Sequence, residues 1–390
     1  MKHILYVFNE DRPISSYPYL LNFVSQLSNK GFKITFLIND LMIDNIELPN
    51  VEFKSVCKEA NRKKYFKSVT SHFFANQTKY DYFVSASIEG LWLHLLISLF
   101  SFKKLRGAYF SMEIFDTADF IPPKWLKFLW KIFHWILRYS IDFSVIQDKN
   151  RAILLKETLP EVCYNKIFYL PNSYIGFTNE KSNFAYEKFG IDKSKKILLY
   201  AGAIEEWAID INLPKLLQPL FNDGYVLLFN GFSRDNFVQK LVETYPDLIE
   251  SKNLLISLEV FSEYNFTELV KSSYIGLAWY KQLDNEYINT IQGKNVYYMG
   301  MSSGKLMKYL SCGVPVIVPD FYLGYKDFMQ KSNCGISCSY DSSLVDNIIN
   351  IDNNIEYFRK SVESYYKDNL EYSKMSKPFI TFLSNLLDKS

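Results

Sequence analysis

The chain has 390 residues, 48% of them hydrophobic, with a formal net charge of +2. That length and apolar content allow two domains, each with its own buried core, and the near-balance of charge gives no ground for a nucleic-acid partner, so any basic surface must be local. Five cysteines, an odd number with no CxxC spacing and no His-rich neighbourhood, argue against a disulfide framework and a zinc site, and a reducing compartment fits.

The chain opens with MKHILYVFNEDR, a buried strand running directly into acidic loop residues rather than a signal peptide. Strand-like runs bounded by turn signals follow at Lys33 to Ile38, Tyr82 to Ser85, Arg106 to Phe110, Asp142 to Ile146 and Lys166 to Leu170, with helix-length segments between most of them. Residues 171–195 turn polar and irregular. A second series then begins, with runs at Ile197 to Ala201, Tyr225 to Asn230, Leu254 to Leu258, Tyr274 to Trp279 and Val314 to Val318. Such alternation predicts an α/β chain with two parallel sheets, each covered on both faces. Ligands of open α/β sheets bind beyond the carboxyl ends of the strands, so two sheets facing each other would put a cleft between their loops.

The loops after the strands are therefore the places to look for chemistry. After Tyr82 to Ser85 come Ser87 and Glu89, with Gly90 beside them. After Arg106 to Phe110 come three carboxylates, Glu113, Asp116 and Asp119. Carboxylates in polar loops are ordinarily just solvated, but Met112 and Ile114 flank Glu113 and could dry its surroundings, so Glu113 is the first candidate for a general base. No histidine falls at a strand's carboxyl end, and His94, within GLWLHLLISLF, is expected to be a satisfied helix histidine. Residues 122–139, PPKWLKFLWKIFHWILRY, combine an apolar surface too wide for a simple amphipathic face with Lys124, Lys127, Lys131 and Arg138. That pattern suits either a helix at an anionic membrane interface or a core helix with snorkelling lysines.

In the second half, Gly202 permits close backbone approach after a strand, and Ala203, Glu205, Glu206 and Trp207 follow it. Trp207 could stack on a base or sugar, although packing is the commoner fate of such a ring. Tyr280 and Lys281 begin a polar segment running through Asn295 that reads as a loop over a site or a long surface connection. It leads into MSSGKLMKYLSCGVPVIVPD, where Ser302 or Ser303 caps a helix, Leu306, Tyr309 and Leu310 recur at helical spacing, and Gly313 stops it. Gly304 and Lys305 then stand in the first helical turn, whose unpaired N–H groups suit an anion; the bland reading is a capped surface helix with a solvated lysine. A P-loop does not fit, because Gly300 and Gly304 are one residue too close and Leu306 stands where Ser or Thr should follow the lysine.

Taken in order, three segments resemble the GT-B glycosyltransferases of the group 1 or family 4 type. GAIEEW at 202–207 is similar to the glycine turn opening the C-terminal domain of a bacterial polysaccharide-type branch. YYMGMSSGKLMKYLSCGVPVIV at 297–318 resembles the donor-diphosphate segment, and YLPNS at 169–173 the end of the first domain. The resemblance implies two Rossmann-like domains facing across a cleft: residues 1–172 for the acceptor, residues 173–366 for the donor, and a last helix within 367–390 returning to the first domain. It implies a metal-independent hexosyltransferase-like enzyme without cofactor, taking a nucleotide-diphosphate sugar as substrate and retaining configuration.

Carried across, Gly202, Ala203, Glu206, Trp207, Lys281, Ser302, Ser303, Gly304 and Lys305 would meet the donor, Ser87, Glu89 and Asp116 the acceptor, and Glu113 the reacting hydroxyl. The expected setting is cytoplasmic, peripheral to the inner membrane face through 122–139, in synthesis of a bacterial surface polysaccharide or glycoconjugate on a glycan or lipid-linked acceptor. The sequence departs from the pattern at Lys308, where a glutamate is usual, and in lacking a first-domain histidine. These departures leave room for an inverting mechanism with a carboxylate base such as Glu113, or for a non-catalytic sugar-nucleotide-binding or assembly protein; the other alternative is a nucleotide-sugar epimerase of the same fold, whose usual cleft histidines are not seen here.

Overall fold

The computed structural model describes residues 1–44, 46–58, 61–101, 105–114 and 127–388; of these, the side chains of residues 16, 127–131 and 133 are left out. The chain forms two compact units, Met1–Pro171 together with Tyr372–Ser390, and Asn172–Glu371.

The first unit is built on a parallel sheet of β1 (His3–Val7), β2 (Lys33–Asn39), β3 (Val51–Cys57), β4 (Tyr82–Ser85), β5 (Arg106–Phe110), β6 (Ile141–Ile146) and β7 (Ile167–Tyr169), in the order β3-β2-β1-β4-β5-β6-β7. β1 shows why such a strand reads as a continuous apolar run. Ile4 and Tyr6 pack in the core on one face and Leu5 and Val7 in the core on the other. The chain runs from β1 outward to β3 and then returns to the far side of β1, so the direction of winding switches between β1 and β4. The helix Tyr372–Asp388 belongs to this unit, its Phe379 stacking 5.3 Å from Phe23 and its Leu383 and Leu387 completing the same core.

The second unit repeats the plan with β8 (Lys196–Ala203), β9 (Tyr225–Phe232), β10 (Leu254–Ser257), β11 (Ile275–Leu277), β12 (Val316–Pro319) and β13 (Gly335–Cys338), ordered β10-β9-β8-β11-β12-β13. Its switch lies between β8 and β11. Both units are thus Rossmann-like. β3 and β13 go beyond the strands expected from the sequence. Both are edge strands, the first carrying Glu52 and Lys54 outward and the second only four residues long, so neither offers a long apolar run.

The polar stretch expected as a loop forms two short helices, Asn285–Ile288 and Ile291–Tyr297. Each has a side-chain cap: Asp284 accepts from the Tyr287 N–H at 2.6 Å and Thr290 from the Gly293 N–H at 3.0 Å. The caps order a segment that lacks apolar anchors. In the helix Lys127–Ser140, His134 and Leu137 are buried while Ile132, Trp135 and Tyr139 are exposed. Among the described residues no helix is long and apolar enough to cross a membrane.

Candidate functional site

The second unit gathers most of its candidate residues at its switch point. Gly202, at the end of β8, has φ +147°, and it pairs with Gly231 so closely that a Cβ there would lie 1.7 Å from the Gly202 carbonyl oxygen. Ser303 is the N-cap of the helix Gly304–Ser311, accepting from the Leu306 N–H at 3.2 Å and from the buried Tyr325 hydroxyl at 2.9 Å. Asn172 holds the approach to that helix, its backbone N–H donating to Met301 O at 2.9 Å and its amide to Ser302 O at 2.7 Å. Tyr309 fixes the helix to the sheet: its hydroxyl donates to Leu199 O at 2.7 Å and accepts from the Ala201 N–H at 2.9 Å. It takes the place of a neighbouring strand along that part of β8.

These anchors set Lys305 against Gly202. A Cβ at Gly202 would lie 3.0 Å from the lysine's Cε, so the glycine leaves the room the lysine occupies. The ammonium donates to Trp279 O at 3.2 Å and sits 3.6 Å from the ring centroid of Tyr200 and 4.2 Å from that of Tyr280. No carboxylate lies within ion-pair distance of it among the described residues. Part of the side chain keeps some exposure, yet burial of its charged end pushes the pKa well below the usual lysine range. Two ring faces and one carbonyl are what the cation has in place of water. Gly304, one residue away, is exposed with open space around it.

Trp207 is 51% exposed and stacks on Tyr280 with centroids 5.9 Å apart and planes 24° apart. Its indole N–H donates to Glu205 at 2.5 Å, and the buried Glu205 also accepts from the Arg234 N–H at 3.0 Å. Trp207, Tyr280, Lys305 and Tyr200 therefore form one continuous stack beside the head of the helix. Of the other expected residues, Ala203 lies in β8 with its carbonyl accepting from Tyr200, Lys281 joins Ala208 and Tyr322 through its backbone, and Ser302 is tied to Asn172. Glu206 faces solvent and pairs with Lys240 at 3.0 Å. Tyr200 was not anticipated, and the sequence places Glu205 and Tyr280 in their loops without a role; Tyr200 reads as one more buried strand position and Glu205 as one of two loop carboxylates.

Lys308 points elsewhere. It is buried against the helix Glu263–Lys271, pairing with Glu263 at 2.5 Å and donating to Thr267 at 2.7 Å, with the Tyr174 ring 4.5 Å away. Its charge is committed to packing two helices together.

In the first unit, a cavity of about 300 Å³ opens at the switch point, lined from the ends of β1, β4 and β5. Ser87, Glu89 and Glu113 all line it; Asp116 lies outside the described residues. Ser87 caps the helix Ile88–Phe100, and Glu89 pairs with Arg62 at 2.9 Å. The expected drying of Glu113 is not found. Ile114 is buried, but the Glu113 side chain is 64% exposed and lies 3.7 Å from Arg151, because the chain turns its apolar neighbours inward and the carboxylate out.

The unanticipated residue is Glu10, in the acidic loop after β1. Burial, then Glu89 and Asp11, push its pKa up to about 7 against the opposing pull of Arg12 and Arg62. The signal available was its position directly after the first strand. Nor is His94 satisfied. It is fully buried with neither ring nitrogen bonded among the described residues, in a space left by Gly107. Among the described residues no group of three or more His, Cys, Asp or Glu is placed to hold a metal ion.

The same architecture recurs in solved structures. Sucrose-phosphate synthase from Thermosynechococcus elongatus superposes with TM-score 0.68 at 11% identity, over 100% of both chains. HepE of Anabaena, solved with UDP and glucose, gives 0.67 at 10% identity over 98% of this chain and 100% of that one. WaaG, a glycosyltransferase of lipopolysaccharide biosynthesis, gives 0.60 at 14% identity over 96% and 98%. No protein-family model and no curated protein matches the sequence. The two Rossmann-like units are those of the GT-B fold.

Proposed function

We propose that the chain is a glycosyltransferase that moves a sugar from a nucleotide-diphosphate sugar to a glycan or lipid-linked acceptor, in synthesis of a bacterial surface polysaccharide or glycoconjugate. Fold alone does not carry this, since one fold hosts many activities. The observation that carries it is the Lys305 arrangement: a desolvated lysine amine with no counter-ion among the described residues, beside the open head of a helix and a glycine at a strand's end. An anionic diphosphate at that point would supply the missing counter-charge and meet the free N–H groups of the first helical turn. That HepE was solved with UDP and glucose supports the same ligand class.

In this reading Lys305 and the N–H groups after Ser303 take up charge on the departing diphosphate, and no metal or cofactor is called on. Trp207, exposed on the stack with Tyr280, offers a flat face to the base or sugar. The first unit takes the acceptor through Ser87 and Glu89. Glu113 and Glu10 are the carboxylates available to receive a proton from its hydroxyl, Glu10 having a pKa matched to neutral pH. Retention of configuration is the proposed stereochemistry. The exposed Ile132, Trp135 and Tyr139 supply an apolar face for peripheral contact with an anionic membrane from the cytoplasmic side.

Calorimetry with UDP, GDP and CMP and their sugars tests the donor role. Lys305→Ala is expected to weaken binding of the matching nucleotide diphosphate by roughly tenfold or more, the usual cost of losing a charge-assisted contact. Unchanged affinity would remove the phosphate role.

A further inference from the structure

Under the glycosyltransferase reading, on which this inference rests, the acceptor enters the first unit's cavity, and the lining of that cavity specifies what kind of acceptor it is. Two of the residues lining it are nine-tenths buried and carry donors with no protein partner among the described residues. Asn9 is nine-tenths buried; its side-chain oxygen accepts from Asn39 at 2.8 Å, and Asn39 also donates to Glu10 O at 2.7 Å, which fixes the group. The Asn9 amide NH2 has no partner among the described residues. Ser87, equally buried, accepts from the Gly90 N–H at 3.2 Å and donates to no described residue. Around these donors stand Glu10, Asp11, Glu89 and Glu113, against one lining cation, Arg62, already paired to Glu89.

A ligand that fits must therefore accept and donate at once. Ionised carboxylates only accept, whereas Asn9 and Ser87 have protons to give. Sugar hydroxyls do both, so neighbouring hydroxyls on one ring answer both sets. A carboxylate or phosphate would satisfy the donors but meet Glu10 and Asp11 at close range, with Glu89 held by Arg62 and Glu113 lying 3.7 Å from Arg151; a simple cation would satisfy the carboxylates and leave the two donors without a partner from the ligand. We propose that this cavity seats a terminal sugar bearing hydroxyls and no acidic group, with Asn9 and Ser87 donating to its oxygens and Glu10 and Glu89 accepting from its hydroxyls. The acceptor is then a neutral glycan end, not one ending in a uronic acid or a sugar phosphate. Burial first, then Glu89 and Asp11, raise the proton affinity of Glu10 against Arg12 and Arg62, which agrees with a site that resists a further negative charge.

The test is saturation-transfer NMR on the full chain at mildly alkaline pH, where Glu10 is ionised. The probes are methyl glycosides of glucose, galactose, mannose and N-acetylglucosamine, set against those of glucuronic and galacturonic acid. At least one neutral probe is expected to bind about tenfold more tightly than its acidic counterpart. Asn9→Asp, which keeps the oxygen that Asn39 bonds and removes the donor, is expected to weaken that probe. Glu10→Gln is expected to narrow the preference by admitting the acidic probes, an effect that a merely structural role would not produce. Equal or tighter binding of the acidic probes, a preference unmoved by Glu10→Gln, or no binding of any neutral probe up to its solubility would each overturn the proposal. Nucleotide binding measured on the same sample separates the two ideas. If it is intact while the sugar result fails, the acceptor class alone falls; if it is absent, the transferase reading falls and the cavity result stands by itself.

Discussion

Lys305 and His94 both stand without a counter-ion among the described residues, and they differ in what surrounds them. Lys305 has ring faces and a carbonyl and stands beside open space, so a ligand can relieve it. His94 is fully buried and packs against Phe83 with centroids 5.0 Å apart. Burial pushes its pKa down to about 3 from an ordinary 6.5. The unfolded chain therefore binds a proton that the folded chain refuses across this window, so stability falls as pH drops below 6.5. At pH 5 the loss is roughly 2 kcal/mol. His94→Leu is expected to remove that slope, read as denaturation midpoints measured at pH 7 and pH 5. A parent and variant that lose stability in parallel would show that His94 does not carry it. Spacing in GLWLHLLISLF identified a helix histidine on an apolar face, but the vacancy at Gly107 comes from a distant strand and leaves no trace in the local pattern.

The helix Gly304–Ser311 is held by three elements at once. Ser303 reaches Tyr325, Tyr309 reaches β8, and Lys308 reaches Glu263. Ser303→Ala would remove the cap, about 1 kcal/mol, and strand the Tyr325 hydroxyl, about 1 kcal/mol more. The second unit's melting temperature is expected to fall by about 4–8 °C, while Ser303→Thr keeps most of the stability. An unchanged melting curve for the alanine variant would show that the cap bears no weight. Helix, cap and stop were all legible, because Ser303, the spacing of Leu306 and Leu310, and Gly313 are local signals. What Tyr309 does was not. Periodicity says that it faces the core, and only the assembled sheet shows that its hydroxyl bonds into β8 where a strand is missing.

Both units wind the same way from a central first strand, and both candidate sites lie where the winding reverses. Two parallel sheets with sites beyond the carboxyl ends of their strands followed from the apolar runs in the sequence, whereas the strand order did not, nor did the edge strands, since Val51–Cys57 is half polar and Gly335–Cys338 is short. Within the first unit, Phe379 joins Phe23, Phe143 and Phe168 in one core. Phe379→Ala is expected to cost about 3–5 kcal/mol there, read by hydrogen exchange as lost protection in β1 and β6 with β8 and β12 unaffected. Equal loss in both sets would mean that the units do not unfold separately.

The discontinuity of the first unit also sets an order of manufacture. Its helix Tyr372–Asp388 leaves the ribosome after all of Asn172–Glu371, about 200 residues that take roughly 10–40 s to translate. For that interval the nascent first unit presents Phe23, Phe143 and Phe168 without the side chain that closes them over, while the second unit, whose residues are contiguous, can finish folding. An exposed apolar face of this kind is what chaperones bind, so ribosome-stalled chains ending before Tyr372 are expected to show it at the first unit and not at the second.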